Sequence, residues 1–85
     1  MIVEAREEIV ALDERLVETI NARIRTVAEL RRYKAENGLA FVDQEREAWL
    51  LEHLKAANDG PLSDRGVEEL VGFVLELVKR EVARG

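Results

Sequence analysis

The first part of the chain constrains its fold most, because it is a long segment that contains neither glycine nor proline. This segment runs from Val3 to Glu36. Its apolar residues follow one another at steps of three and four, the spacing of one face of an amphipathic helix: Ile9, Leu12, Leu16, Ile20, Ile24, Val27 and Leu30. The sequence therefore predicts a single helix of about 33 residues, roughly 50 Å long.

Turn and cap residues divide the rest of the chain into two shorter helices. Asn37-Gly38 is expected to end the first helix, because both residues tolerate the left-handed conformation. Asp43 is a good N-cap for a second helix, which would end at segment 58–60, and Ser63 would cap a third. No segment shows the alternation of a strand. We therefore predict an all-α fold of three helices per chain, one long and two shorter, in a single domain over residues 1–85.

The predicted first helix is too long for the rest of the chain to cover. The second helix would span only about 23 Å at the same rise per residue. The apolar stripe on the far half of the first helix therefore needs another partner, and a second copy of the chain is the economical one. A purely structural dimer resembling a leucine zipper would satisfy the same pattern.

Composition excludes several classes of function. The chain has no cysteine and a net charge of −5, so we expect no disulfide, no thiolate metal site, and no nucleic acid or anionic membrane as partner. The single histidine, His53, is expected on a helix surface and not at a metal. No apolar run reaches the length of a signal peptide or a membrane span. These observations predict a soluble cytoplasmic protein.

Several cationic side chains can lie close to two carboxylates near the loop between the first and second helices. Arg23 and Lys34 are separated by close to three helical turns and so share one face of the first helix. Asp43, Arg46 and Glu47 share a face at the start of the second helix, and a short loop brings that face near Lys34. The spacing therefore allows an anion-binding pocket between the two helices.

Arg6 cannot join this pocket from the same chain. It precedes Lys34 by about 42 Å along an unbroken helix. In an antiparallel dimer, however, the Arg6 side chain of one copy could reach the pocket of the other.

These residues carry a resemblance to a known family. The pattern AREEIVALDERLV…NARIRTVAELRRYKAENGLAFVDQERE is similar to the first helix, the loop and the start of the second helix in the all-helical (type II) chorismate mutases. The resemblance extends over essentially the whole chain. It is specific because many positions match jointly: Arg6, Leu12-Asp13, Arg23, Lys34, Asp43, Arg46 and Glu47.

The resemblance implies a fold and an activity. It implies an intertwined six-helix homodimer with two active sites, which converts dianionic chorismate to prephenate in phenylalanine and tyrosine biosynthesis. This intramolecular rearrangement needs no cofactor and no metal.

It also implies roles for individual residues. Arg6 would be donated to the site by the partner chain, whereas Arg23 and Lys34 would bind the substrate, with Lys34 at the ether oxygen. Arg46 and Glu47 would lie at the start of the second helix, where Glu47 accepts a hydrogen bond from the ring hydroxyl. Asp43 would contribute through its backbone and as a cap.

The third helix departs from the family pattern. Val78 and Val82 stand at the substrate-facing positions where the family usually has a serine and, four residues later, a glutamine or glutamate. Neither valine can form a side-chain hydrogen bond, which predicts weaker catalysis.

Alternative functions follow from the same residues. One is an enzyme of the same fold that acts on amino-deoxychorismate or removes pyruvate from isochorismate, although Glu47 favours chorismate. Another is a weakly active or non-enzymatic helical dimer that needs a partner, such as 3-deoxy-arabino-heptulosonate-7-phosphate synthase.

Overall fold

The chain folds into three α-helices and contains no strand. The computed structural model describes residues 1–85, in which α1 spans Ile2–Glu36, α2 spans Gln44–Ala57 and α3 spans Asp64–Arg84. The predicted all-helical fold, with one long and two shorter helices, is confirmed. None of the three helices combines the length and the apolar character needed to cross a bilayer.

The helix ends lie where the turn and cap residues predict them. Gly38 follows α1 with a φ of 67°, a left-handed conformation that favours glycine. The Asp43 carboxylate accepts a hydrogen bond from the Arg46 backbone N–H at 3.0 Å, and so caps α2. The Ser63 hydroxyl accepts from the Gly66 N–H at 3.0 Å in the same way and caps α3. Local chemistry therefore sets the three boundaries.

The core is formed by one face of α3. The fully buried residues are all valines on this helix: Val67, Val71, Val78 and Val82. They are spaced by four or seven residues, so they form a single stripe. The α3 helix packs against both α1 and α2, which places this stripe at the centre of the chain.

The N-terminal half of α1 is left uncovered. Every residue from 1 to 19 is exposed, and partial burial along α1 begins at Ile20, where α3 packs against it. Leu12 and Leu16, which belong to the predicted apolar stripe, are about half exposed. The prediction that the rest of the chain cannot cover the far half of α1 is therefore confirmed.

Candidate active site

A cavity of about 270 Å³ lies where the C-terminal half of α1, the loop after it, the start of α2 and the middle of α3 come together. Its charged lining residues are Arg23, Lys34, Asp43, Arg46, Glu47 and Lys79. Its apolar lining residues are Val27, Leu30, Phe41, Val42, Leu50, Leu75 and Val78. Pockets of about this size or larger hold small molecules, with a few polar groups that fix the ligand's orientation.

The charges of this cavity favour an anion. Four of its side chains are cations and two are carboxylates, which leaves two positive charges in excess. This excess arises in a chain whose net charge is −5, so the cations are concentrated here against the overall balance. No group of three or more His, Cys, Asp or Glu side chains converges anywhere in the chain in a way that could hold a metal ion.

The cations of α1 reach the cavity as the helical spacing predicts. Arg23 and Lys34 both line it, about three turns apart, and both are partly buried. The Lys34 ammonium donates a hydrogen bond to the carbonyl of Phe41 at 3.2 Å. Because Phe41 belongs to the loop between α1 and α2, this contact joins the loop to the last turns of α1 and holds Lys34 at the cavity wall.

The start of α2 supplies the opposite wall. Asp43 lines the cavity as well as capping the helix, and Arg46 follows three residues later. The Arg46 guanidinium lies over the ring of Trp49, 4.1 Å from its centroid, within the range of a cation–π contact. Trp49 in turn stacks on His53 at 4.7 Å. His53 is exposed, as predicted.

Glu47 contacts a cation on α3 that helical spacing does not predict. The Lys79 ammonium on α3 lies 2.8 Å from a carboxylate oxygen of Glu47. The hydrogen bond that the Lys79 ammonium donates to Glu47 raises the pKa of Lys79, and desolvation opposes this only in part. Lys79 therefore stays protonated at neutral pH. No signal in the sequence predicts this contact, because it depends on how α3 packs against α2.

Two of the predicted site residues lie elsewhere in the single chain. Arg6 lines a separate shallow depression near the N-terminus of α1, with Val3, Glu7 and Val10. Val78 lines the cavity, but Val82 does not: this residue is 6% exposed and belongs to the core. The Val82 carbonyl accepts a hydrogen bond from the Arg31 guanidinium at 3.2 Å.

Comparison with known proteins identifies the family. Residues 5–82 match the family described as chorismate mutase type II. The chain is 37% identical over 70 residues to a bifunctional chorismate mutase/prephenate dehydratase from Pseudomonas aeruginosa, and 38% identical over 71 residues to a protein of the same name from Stutzerimonas stutzeri. Each alignment covers 76% of this chain but only 19% of the relative. No solved structure matches at a significant level. The chain belongs to the type II chorismate mutase family.

Proposed function

We propose that this chain is a chorismate mutase, which converts chorismate to prephenate without a cofactor. The observation that carries the proposal is the cavity in which Arg23, Lys34 and Arg46 converge with Glu47. Chorismate has two carboxylates, so its charge matches the positive excess of the lining. Its ring hydroxyl needs an acceptor, and Glu47 provides one at the same site. Family membership supports the same conclusion.

The reaction suits a site made of cations. In chorismate, one C–O bond breaks as one C–C bond forms within the same molecule, so no nucleophile and no proton transfer are required. The protein must hold the two ends of the substrate together in a compact chair, which removes much of the entropic barrier. Arginine forks that bind the carboxylates are suited to this, because each can form two parallel hydrogen bonds.

Lys34 is the main electrostatic catalyst in this proposal. Negative charge grows on the ether oxygen as the C–O bond breaks, and a preorganised ammonium stabilises it. The hydrogen bond to the Phe41 carbonyl fixes the lysine before the substrate arrives. Glu47 orients the ring through its hydroxyl, and Asp43 keeps the first turn of α2 in place.

A homodimer completes the site. The uncovered half of α1 exposes Ile9, Leu12, Leu16 and Val17, each more than half accessible to solvent. A second copy whose α1 packs against this surface would bury these side chains. It would also bring its Arg6 to the cavity, which Arg6 of the same chain does not line. The intertwined six-helix arrangement of the family meets both requirements.

A slower, partner-dependent enzyme is the second candidate, and one observation favours it. Val78 lines the cavity at a position where a hydrogen-bonding residue would face the substrate. The missing donor supports weak intrinsic activity that a partner raises, and 3-deoxy-arabino-heptulosonate-7-phosphate synthase stays a predicted partner. The single domain over residues 1–85, the cytoplasmic location and the role in phenylalanine and tyrosine biosynthesis also stay predictions.

One assay tests the activity directly. Purified protein is mixed with chorismate, loss of its absorbance is followed, and prephenate is identified as the product. The same protein is given isochorismate and amino-deoxychorismate, which distinguishes the alternative enzymes of this fold. Prephenate should form fastest from chorismate. A folded protein that forms no prephenate contradicts the proposal, and pyruvate release from isochorismate alone would favour the lyase.

A lysine variant tests the mechanism. Lys34→Ala should lower kcat by roughly a hundredfold or more, the effect of removing one preorganised donor. Lys55→Ala is the matched control, because Lys55 lies on α2 but does not line the cavity. Circular dichroism should show the same helix content in both variants.

A further inference from the structure

The ion pair between Lys79 and Glu47 lies inside the proposed site. Both side chains line the cavity, and they are 27% and 28% exposed. Glu47 is one of only two carboxylates in the lining, and the other, Asp43, is engaged in capping α2. A free carboxylate at this place would repel a dianion and would compete with it for the neighbouring cations. The pairing of Glu47 therefore bears on ligand binding.

We propose that Lys79 is a positioning residue, which offsets the charge of Glu47 and fixes the direction of its carboxylate. This inference rests on the proposed function of the cavity. The ammonium binds one carboxylate oxygen of Glu47 at 2.8 Å. A carboxylate has roughly four lone-pair positions, so its other oxygen remains free to accept from a substrate hydroxyl. With Lys79 bound to it, Glu47 can still accept a hydrogen bond from the substrate, and its negative charge in the site is balanced.

The backbone of α3 holds Lys79 firmly in this place. The preceding residue, Val78, is only 1% exposed and belongs to the central stripe. The Lys79 ammonium also lies 3.7 Å from Glu76, but that carboxylate is largely solvated. The shorter contact across to α2 is therefore the dominant one. Without Lys79, Glu47 would be free to turn toward Arg23, Lys34 or Arg46, which share the lining.

A second lysine–glutamate pair supplies a matched control. Lys55 on α2 binds Glu68 on α3, so this pair also joins the two helices. Lys55 is partly buried like Lys79, with 21% of its side chain exposed, but neither member of its pair lines the cavity. Removing the Lys55 pair therefore shows the effect of losing an ion pair between α2 and α3, and removing the Lys79 pair shows any additional effect on ligand binding.

The test compares Lys79→Met with Lys55→Met in steady-state kinetics with chorismate. Methionine keeps the apolar stem and removes the charge. Lys79→Met should raise KM about three- to fivefold and change kcat less, since one partly exposed charge pair is lost. Lys79→Arg should recover most of this loss. Lys55→Met should leave both KM and kcat unchanged, and equal effects of the two Met variants would overturn the proposal.

Whether Lys79 acts through Glu47 is tested by introducing Lys79→Met into a Glu47→Gln protein. In a Glu47→Gln protein there is no negative charge to offset, so adding Lys79→Met should change KM by less than about twofold. Fully additive effects would show that Lys79 does not act through Glu47.

Binding is measured independently by titrating chorismate against the fluorescence of Trp49, the only tryptophan, whose ring contacts Arg46. A wild-type chain that neither binds nor converts chorismate would contradict the proposed function itself, whereas an active wild type with an unaffected Lys79→Met contradicts only this inference.

Discussion

Val78 and Val82 are one helical turn apart on α3, yet only one of them faces the cavity. A step of four residues advances the helix by about 6 Å and rotates the side chain by about 40°. Val78 lines the cavity at its wall, whereas Val82 is enclosed by the core, beyond the lining. The backbone carbonyl of Val82 accepts a hydrogen bond from the Arg31 guanidinium. The resemblance places both valines at substrate-facing positions, and the structure brings only Val78 to the site.

This difference predicts the outcome of Val82→Gln. A glutamine at a family position would be expected to add a donor beside Lys34, but a buried valine site offers the amide no partner. We expect a loss of about 1–3 kcal/mol in the free energy of unfolding and no gain in kcat. Val71→Gln is the matched control, because Val71 is buried in the same stripe and does not line the cavity. A rise in kcat for Val82→Gln alone would show that the side chain reaches the substrate.

The cations and the acceptor on α1 and α2 could be predicted from the sequence, but Lys79 could not. Arg23 and Lys34 share a face through helical spacing, and Arg46 and Glu47 follow from the position of the Asp43 cap. These are local relations, fixed by the geometry of one helix and one turn. The contact of Lys79 with Glu47 depends on how α3 docks against α2, and helical periodicity carries no information about that.

At the scale of elements, the two caps perform different tasks with the same geometry. Asp43 and Ser63 each accept from a backbone N–H three residues later, at 3.0 Å. Asp43 also lines the cavity and sets the first turn from which Arg46 and Glu47 project. Ser63 begins α3 on a turn that contributes no lining residue.

The paired caps give a prediction in which stability and activity separate. Asp43→Ala and Ser63→Ala should each lower the free energy of unfolding by about 1 kcal/mol, the usual cost of removing an N-cap. Only Asp43→Ala should also lower kcat/KM, because fraying at the start of α2 displaces Arg46 and Glu47. Urea unfolding and chorismate kinetics on both variants provide the check. Equal losses of kcat/KM would mean that activity follows global stability and not the first turn of α2.

Two lysine–glutamate pairs join α2 to α3, and they make this contact sensitive to alkaline pH. The hydrogen bonds that Lys55 and Lys79 donate to the carboxylates of Glu68 and Glu47 raise the pKa values of the two lysines above the ordinary 10.5. A raised pKa in the folded state means that the folded chain holds these protons more tightly than the unfolded chain. The stabilisation is therefore complete below about pH 10.5 and is lost as the pH rises through the folded-state values.

The corresponding prediction compares the wild type with a Lys55→Met/Lys79→Met double variant. Urea unfolding at neutral pH should show the wild type to be the more stable protein. The difference in the free energy of unfolding between the two proteins should shrink as the pH rises above the pKa values of Lys55 and Lys79, because the wild-type lysines then lose the charge that the variant lacks. A difference that stays constant across this range would show that the pairs do not stabilise the fold.

At the scale of the whole molecule, the mismatch between α1 and the rest of the chain is the dominant feature. The sequence predicts it from length alone, since a first helix of about 33 residues cannot be covered by a second of about 23 Å, and the structure has helices of 35 and 14 residues. In the structure α3 covers only the half of α1 that bears Arg23 and Lys34. The other half bears Arg6 and an apolar stripe, so the surface that favours a second copy also carries the arginine that we propose to complete the site.

This arrangement predicts that activity can be restored by mixing two inactive chains. In a dimer of an Arg6→Ala chain with an Arg23→Ala chain, one site receives an intact Arg23 from its own chain and an intact Arg6 from the other. The second site lacks both arginines. Random reassociation of equal amounts makes half of the dimers mixed, so about a quarter of the wild-type activity should return. Each variant alone should be nearly inactive.

The control for this experiment is the oligomeric state. Light scattering should give about twice the 9.7 kDa mass of the chain for both variants and for the mixture, and a different affinity tag on each chain should recover the mixed dimer.

An Ile9→Asp chain, altered in the exposed stripe next to Arg6 but not in any site residue, should fail to restore activity to either variant, because a charge buried in the interface opposes pairing of the chains. Mixed dimers that form but stay inactive would mean that Arg6 does not act across the interface. An active monomer would mean that the cavity of a single chain suffices, and that the apolar half of α1 has another partner.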